Sequence, residues 1–149
     1  MIKKIIWGIL FLIAAVIFGA WLTQDMWLPQ WNQDLAQQST EYREKGLALG
    51  QTADQQVCFD EALTSFNQCS GFACTITHGK FLKACWENAA PTEGFCESVP
   101  AYNEEKTEDE KSWARHECWG RDIRGEGCRL LMRQQQLLCS EQAKTDLDG

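Results

Sequence analysis

Eight cysteines are the residues of this 149-residue chain whose type and spacing could carry chemistry. Ten residues separate Cys58 from Cys69, and ten residues also separate Cys74 from Cys85. Such thiols could bind a metal, exchange disulfides with another protein, or close structural disulfides. These three uses require different spacings and different neighbouring residues, so the surrounding sequence decides between them.

Metal binding and thioredoxin-like chemistry are both disfavoured by the spacing. Zinc sites use cysteines two to four residues apart in pairs, or a cysteine pair followed by two histidines. This chain has no CxxC, its closest pair is Cys69 and Cys74, and its two histidines, His78 and His116, are isolated. We therefore expect no metal and no cofactor, with His78 packed in the fold and His116 solvated.

Helical spacing instead favours four structural disulfides. Eleven residues turn an α-helix by about 1100°, close to three full turns, so Cys58 and Cys69 lie on one face of a helix. Cys74 and Cys85 repeat that spacing, and a break at residues 70–71 lets the two helices fold back antiparallel. The same argument applies to the last four cysteines. The predicted disulfides are Cys58–Cys85, Cys69–Cys74, Cys96–Cys139 and Cys118–Cys128.

Cysteines at helical spacing on two antiparallel helices resemble the twin-Cx9C (CHCH) modules of the mitochondrial intermembrane space. Many proteins with such modules assist the assembly of respiratory complexes. The resemblance covers Cys58 to Cys85 alone, and ten residues separate the cysteines here where those modules have nine. It is a shared geometry, and a membrane anchor is foreign to most of that family.

The N-terminus predicts a membrane anchor. Ile5 to Leu22 is an eighteen-residue stretch without a charge, long enough to cross a hydrocarbon core of about 30 Å. Lysines precede it and acidic residues follow it, which predicts a cytoplasmic N-terminus and an exported C-terminal part. A cleaved signal peptide is the alternative, but a cut after Ala20 would place the bulky Phe18 at the −3 position.

The charge of the exported part excludes one class of partner. Without Lys3 and Lys4, 12 basic residues face 21 acidic ones, which leaves a net charge of −9 beyond the span. Such a surface repels phosphate backbones, so we expect no nucleic acid as a partner. An even number of cysteines on the exported side indicates an oxidising compartment, and the periplasm fits best.

The remaining pattern is all-α, since no β alternation appears. Pro29 is placed to open a polar juxtamembrane helix, although a flexible spacer is an equal alternative. Capping boxes at Thr52 with Gln55 and at Thr107 with Glu110 predict the starts of two further helices. The predicted organisation is a cytoplasmic stub (1–4), a transmembrane signal anchor (5–24), a juxtamembrane helix or stalk (25–51), a cysteine-rich periplasmic domain of two tandem antiparallel helical hairpins (52–144) and a disordered tail (145–149).

Two surface features are candidates for binding another protein. Trp86 and Trp119 each follow a cysteine, about 100° around the helix from the bridged face, where a tryptophan packs in the core or forms an exposed patch. An acidic run opens the third predicted helix, where it complements the helix dipole and could dock a basic partner. Its residues are Glu104, Glu105, Glu108, Asp109 and Glu110.

These observations predict a non-enzymatic protein of the bacterial inner membrane. A disulfide-locked domain without a catalytic constellation favours an accessory subunit, assembly factor or adaptor in an envelope complex, with a protein partner in or at the membrane and the bilayer contacted through residues 5–24. The alternative is a thiol-redox or metal-handling protein that uses Cys69/Cys74 or Cys118/Cys128. Hydrolysis of envelope polymers by carboxylates is a third, weaker hypothesis, because abundant acids make some carboxylate pair inevitable.

Overall fold

The chain folds into five α-helices and, among the described residues, no β-strand. The structure is a computed structural model that describes the backbone of residues 2–148 and the side chains of residues 5–23 and 28–143. The helices are α1 (Ile2–Gly50), α2 (Gln55–Phe66), α3 (Phe72–Trp86), α4 (Glu108–Gly120) and α5 (Glu126–Asp148). The predicted all-α class is therefore confirmed.

Two compact units divide the chain, Met1–Gln37 and Gln38–Gly149. The first contains Ile5–Thr23, a stretch long and apolar enough to cross a membrane, with none of it buried within the structure. A signal sequence near an N-terminus has the same length and composition. Pro29 lies inside α1, so its predicted place at the start of a helix is wrong: the helix already runs from Ile2.

The N-terminal hairpin consists of α2 and α3, which pack against each other along their length. Asp54 caps α2 by accepting a hydrogen bond from the Val57 N–H at 2.9 Å. The predicted cap at Thr52 is wrong, because the Thr52 hydroxyl donates to the Leu49 carbonyl instead. Gly71, with φ of 96°, precedes α3 in a backbone conformation that favours glycine.

The C-terminal hairpin consists of α4 and α5. Thr107 and Glu110 form the predicted capping box, in which each side chain accepts a hydrogen bond from the other residue's backbone N–H. A short turn containing Gly125 joins α4 to α5. α5 continues to Asp148, into the segment 145–149 predicted as a disordered tail, of which Gly149 lies outside the described residues.

The two hairpins share one core, formed where α5 packs against α3 and, less extensively, α2. The approach is closest at Gly127 of α5, where a Cβ atom would lie 2.5 Å from Cζ of Phe66 and 2.6 Å from Oγ1 of Thr75. Further along, the Gln134 side-chain amide donates to the Gly79 carbonyl at 2.7 Å. Gly127 therefore allows the backbone of α5 to approach the side chains of Phe66 and Thr75 closely.

The C-terminal end of α1 is also part of the second unit. A Cβ atom at Gly46 would lie 2.4 Å from the Phe81 carbonyl oxygen, and one at Gly50 would lie 2.4 Å from that of Cys85. Two glycines four residues apart thus bring one face of α1 against the backbone of α3. A flexible spacer was the equal alternative for this segment, whereas Gly46 and Gly50 are helical and packed.

Candidate functional site

The eight cysteines form four disulfides, and all eight lie in the described part of the chain. The pairs match those that helical spacing predicts. Their Cα–Cα distances run from 5.6 to 6.2 Å, within the usual range for disulfides. The pairs are Cys58–Cys85, Cys69–Cys74, Cys96–Cys139 and Cys118–Cys128.

Exposure separates one of these disulfides from the others. Cys69 is the one exposed cysteine of the eight, whereas its partner Cys74 is buried. Cys96 is partly buried, and the remaining cysteines are buried. Since thiol–disulfide exchange needs a thiolate to reach a sulfur atom, the Cys69–Cys74 bond is the accessible one.

A buried histidine lies against that accessible disulfide. His78 is 2 % exposed, and its Nδ1 lies 3.7 Å from Sγ of Cys74 and 3.9 Å from Sγ of Cys69. The same Nδ1 is 2.9 Å from the Cys74 carbonyl oxygen. Because a carbonyl oxygen only accepts hydrogen bonds, Nδ1 carries the hydrogen of the neutral ring.

The other side of the His78 ring has no polar partner. Its Nε2 atom is buried and makes no hydrogen bond to any described residue. The rings of Tyr42 and Phe66 pack against it with centroid distances of 4.9 and 5.9 Å. Burial lowers the pKa of His78 below its ordinary value, an effect that the Cys74 carbonyl and the nearby Glu61 carboxylate partly oppose. His78 is thus packed, as predicted, and favours the neutral form.

Cys69, Cys74 and His78 are also the residue types that bind soft metal ions, and their ligand atoms lie within 4.8 Å of one another. In this structure, however, the two sulfur atoms are bonded to each other. An oxidised sulfur cannot serve as a thiolate ligand. As it stands, the cluster is a disulfide with a histidine beside it.

A groove runs beside Cys69, which forms part of its wall. We call it the Cys69 groove; its volume is about 750 Å³. Exposed Phe72 and Leu130 lie along it, together with Ile76. The charged side chains at the groove are Lys80, Lys83, Arg124 and Glu126, three cations against one acid. The groove could not be predicted from the sequence, because its two walls come from different hairpins.

The two candidate tryptophans lie in different environments. Trp86 is 5 % exposed and packs against Phe95 with ring centroids 5.6 Å apart, so it belongs to the core and is not available to a partner. Trp119 is 48 % exposed. The guanidinium carbons of Arg115 and Arg124 lie 5.9 and 5.2 Å from its ring centroid, distances typical of cation–π contacts.

The residues of the acidic run also differ in exposure. Glu104, Glu105, Glu108 and Asp109 are exposed. Glu110 is buried, and its carboxylate accepts hydrogen bonds from the Thr107 and Asn103 N–H groups. The hydrogen bond from the Thr107 backbone is the main cause that lowers the pKa of Glu110. Glu110 is therefore part of the helix cap and does not belong to an exposed acidic surface.

No protein-family model matches the chain, and neither a curated protein nor a solved structure is significantly similar to it.

Proposed function

We propose that the protein is a membrane-anchored, non-enzymatic accessory subunit, assembly factor or adaptor of an envelope complex. In this proposal α1 anchors the chain in a bacterial inner membrane, with the N-terminus in the cytoplasm and the disulfide-rich domain in the periplasm. The apolar stretch Ile5–Thr23 and the four disulfides support an anchor and an oxidising compartment. The lysines before the stretch support the orientation.

The observation that carries the proposal is the exposed Trp119 between two arginines, which we call the Trp119 surface (Arg115, His116, Trp119 and Arg124). Tryptophan and arginine are among the residues most enriched in binding hot spots. The turn below it is fixed by the Cys118–Cys128 disulfide. A rigid surface of this kind loses little conformational entropy on binding. Its cations suit a partner that presents carboxylates.

Site-specific photo-crosslinking in intact membranes tests this proposal. A photoreactive amino acid at His116, which is exposed and has its ring 6.3 Å from that of Trp119, is expected to give one discrete protein adduct. The same probe at the exposed Thr64 of α2 serves as the control and should not give that adduct. The adduct should disappear when Trp119→Ala is added. Persistence of the adduct in that variant would contradict a partner site at the Trp119 surface.

The second candidate is a thiol-redox function, and the observation that favours it is the exposed Cys69 beside His78. Of the two disulfides named for this role from the sequence, Cys118–Cys128 is the poorer choice. Its cysteines are 2 % and 0 % exposed, so no external thiolate can reach them while the domain stays folded. The redox hypothesis therefore narrows to Cys69–Cys74.

A further inference from the structure

We propose that the Cys69–Cys74 disulfide exchanges with the thiols of an extended, cysteine-bearing polypeptide that lies in the Cys69 groove, with Cys69 as the attacked sulfur and Cys74 as the leaving sulfur. This activity rests on the thiol-redox candidate above and does not depend on the adaptor role, since neither Trp119 nor His116 lines the groove and only Arg124 lies at both places. Three features of the domain support it: the exposure of Cys69, the position of Cys74 beside the His78 ring, and the groove.

The first feature is a difference in exposure between the two sulfur-bearing residues. Cys69 follows the end of α2 and is exposed, whereas Cys74 is buried. An incoming thiolate can therefore reach Cys69 but not Cys74. Attack on one defined sulfur fixes which cysteine becomes part of the mixed disulfide.

The second feature stabilises the leaving sulfur. Cys74 is the third residue of α3, within the first helical turn, where backbone N–H groups and the helix dipole favour a thiolate. The His78 Nδ1–H, which donates to the Cys74 carbonyl oxygen, also lies 3.7 Å from Sγ of Cys74 and can be shared with the thiolate as it forms. Because a better leaving thiolate departs faster, both contacts accelerate exchange at Cys69.

The third feature is the groove itself. Its apolar wall, formed by Phe72, Ile76 and Leu130, suits the side chains of an extended segment. Lys80 and Arg124 make the groove more cationic than anionic, which favours the entry of a thiolate-bearing segment. A volume of about 750 Å³ can hold several residues of such a segment and exceeds the requirement of a small thiol. The inferred substrate class is therefore a dithiol in an extended polypeptide.

The exchange takes place in two steps. A thiolate of the polypeptide bonds to Sγ of Cys69 while the Cys69–Cys74 bond breaks and its electron pair leaves on Cys74. A second thiolate of the same polypeptide then attacks the polypeptide sulfur that is bonded to Cys69. A disulfide forms within the polypeptide, and Cys69 is released as a thiolate. The polypeptide gains a disulfide and loses two electrons and two protons. Cys69 and Cys74 take up these electrons and protons as they become thiols.

The test uses the full-length protein in detergent with two reductants, glutathione and a synthetic unstructured peptide that carries two cysteines. Newly formed thiols are alkylated at timed intervals and identified by mass spectrometry. Cys69 and Cys74 should become alkylated at least about tenfold faster than Cys118 and Cys128. If the four disulfides open together, or if Cys118–Cys128 opens first, the proposal is overturned.

Two sets of variants test the groove and His78 separately. Leu130→Gln should slow reduction by the peptide about threefold and leave reduction by glutathione unchanged, because only the peptide fills the groove. Val57→Gln is the matched control, an exposed aliphatic residue of α2 outside the groove, and should change neither rate. Equal slowing of both reductants by Leu130→Gln would exclude binding in the groove.

For His78, the rate of exchange should fall about tenfold in His78→Phe, which has no donor to the leaving sulfur. His78→Asn places an amide N–H near the position of Nδ1 and should restore part of the rate. Both variants remove the buried imidazole, so a purely structural role would lower stability in both without this difference in rate. Equal rates in the two variants would remove His78 from the exchange step.

Discussion

The two hairpins each carry a disulfide close to their turn, and the surroundings of these disulfides differ. In the N-terminal hairpin, Cys69–Cys74 has one exposed cysteine and a buried histidine 3.7 Å from one sulfur. In the C-terminal hairpin, Cys118 and Cys128 are both buried, at 2 % and 0 % exposure. The same covalent bond is thus placed once at the surface and once in the core.

This difference in burial has consequences for both stability and reactivity. A buried disulfide fills core volume in addition to restricting the unfolded chain, so its removal leaves a cavity. The Cys69–Cys74 disulfide, in which only Cys74 is buried, restricts a short loop and leaves less empty volume when it is removed. Spacing along the helices explains why each pair can form, whereas tertiary packing determines which pair an external thiol can reach.

Removal of each disulfide near a turn is expected to show this asymmetry in the free energy of unfolding. The double variant Cys118→Ala/Cys128→Ala should lose about 3 kcal/mol from loop-closure entropy, because ten residues of sequence separate the two cysteines. The Cys69–Cys74 disulfide closes a shorter loop, because five residues of sequence separate its cysteines. The double variant Cys69→Ala/Cys74→Ala should therefore lose about 2 kcal/mol. Removal of the buried sulfur atoms of Cys118 and Cys128 also leaves a cavity, which increases the difference in stability between the two variants.

Denaturant unfolding of the full chain in detergent, followed by tryptophan fluorescence without reductant, measures both losses. Each double variant is the control for the other, since both remove one disulfide and leave the remaining three. A larger loss for the Cys69–Cys74 variant would show that the exposed bond is the main structural one, and the comparison between hairpins would be reversed.

The contact between the hairpins gives the next largest expected effect. Gly127→Ala places a Cβ atom 2.5 Å from the Phe66 ring, which is 6 % exposed and packs against His78. Because that ring has little room to move, the substitution should cost about 1–3 kcal/mol, less the gain of up to about 1 kcal/mol in helix propensity. The midpoint of denaturant unfolding measures the loss.

Gly120→Ala provides the matched control for Gly127→Ala. Gly120 ends α4, and a Cβ atom there would meet nothing within 4 Å. This variant should be as stable as the natural chain or slightly more stable. Equal stability of the Gly120→Ala and Gly127→Ala proteins would show that the two hairpins do not pack closely at the start of α5.

The sequence predicted α2 to α5 and the four disulfide pairs, largely because helical periodicity is local, although Cys96 lies between α3 and α4 and α1 is one helix where two segments were expected. The capping box at Thr107 was predicted by its spacing, but the same spacing at Thr52 was misleading. Asp54 lies two residues later and is the better acceptor for the first free N–H groups of α2. Two competing caps close together cannot be ranked from local sequence alone.

Burial was harder to predict, because it depends on elements distant in sequence. Trp86 and Trp119 occupy equivalent positions after a cysteine, and Trp86 is buried since Phe95 of the connecting segment covers it. The packing of α1 on α3 had a signal in the sequence, namely Gly46 and Gly50 four residues apart. Their spacing permits another helix to approach closely but does not identify which helix packs there.

The smallest expected effect is a difference in how pH acts on the two hairpins. Burial lowers the pKa of His78 in the folded state, so the unfolded chain binds a proton that the folded chain does not. Stability should therefore fall as pH drops below about 6.5, the ordinary value of a histidine. Hydrogen bonds lower the pKa of Glu110, so its contribution should persist above about pH 4.5 and be lost as pH falls further.

Thermal unfolding of the full chain between pH 7.5 and pH 3.5 should consequently show two separate losses of stability, one from each hairpin. His78→Gln should remove the loss at higher pH and retain the other, whereas Glu110→Gln should remove only the loss at lower pH.

The groups that face His78 from α1 and α2 are Tyr42, Lys45 and Glu61. Of these, Glu61 opposes the lowered pKa of His78, so Glu61→Gln should strengthen the loss at higher pH. If the His78→Gln protein still loses stability between pH 6.5 and pH 5, a group other than this histidine is responsible.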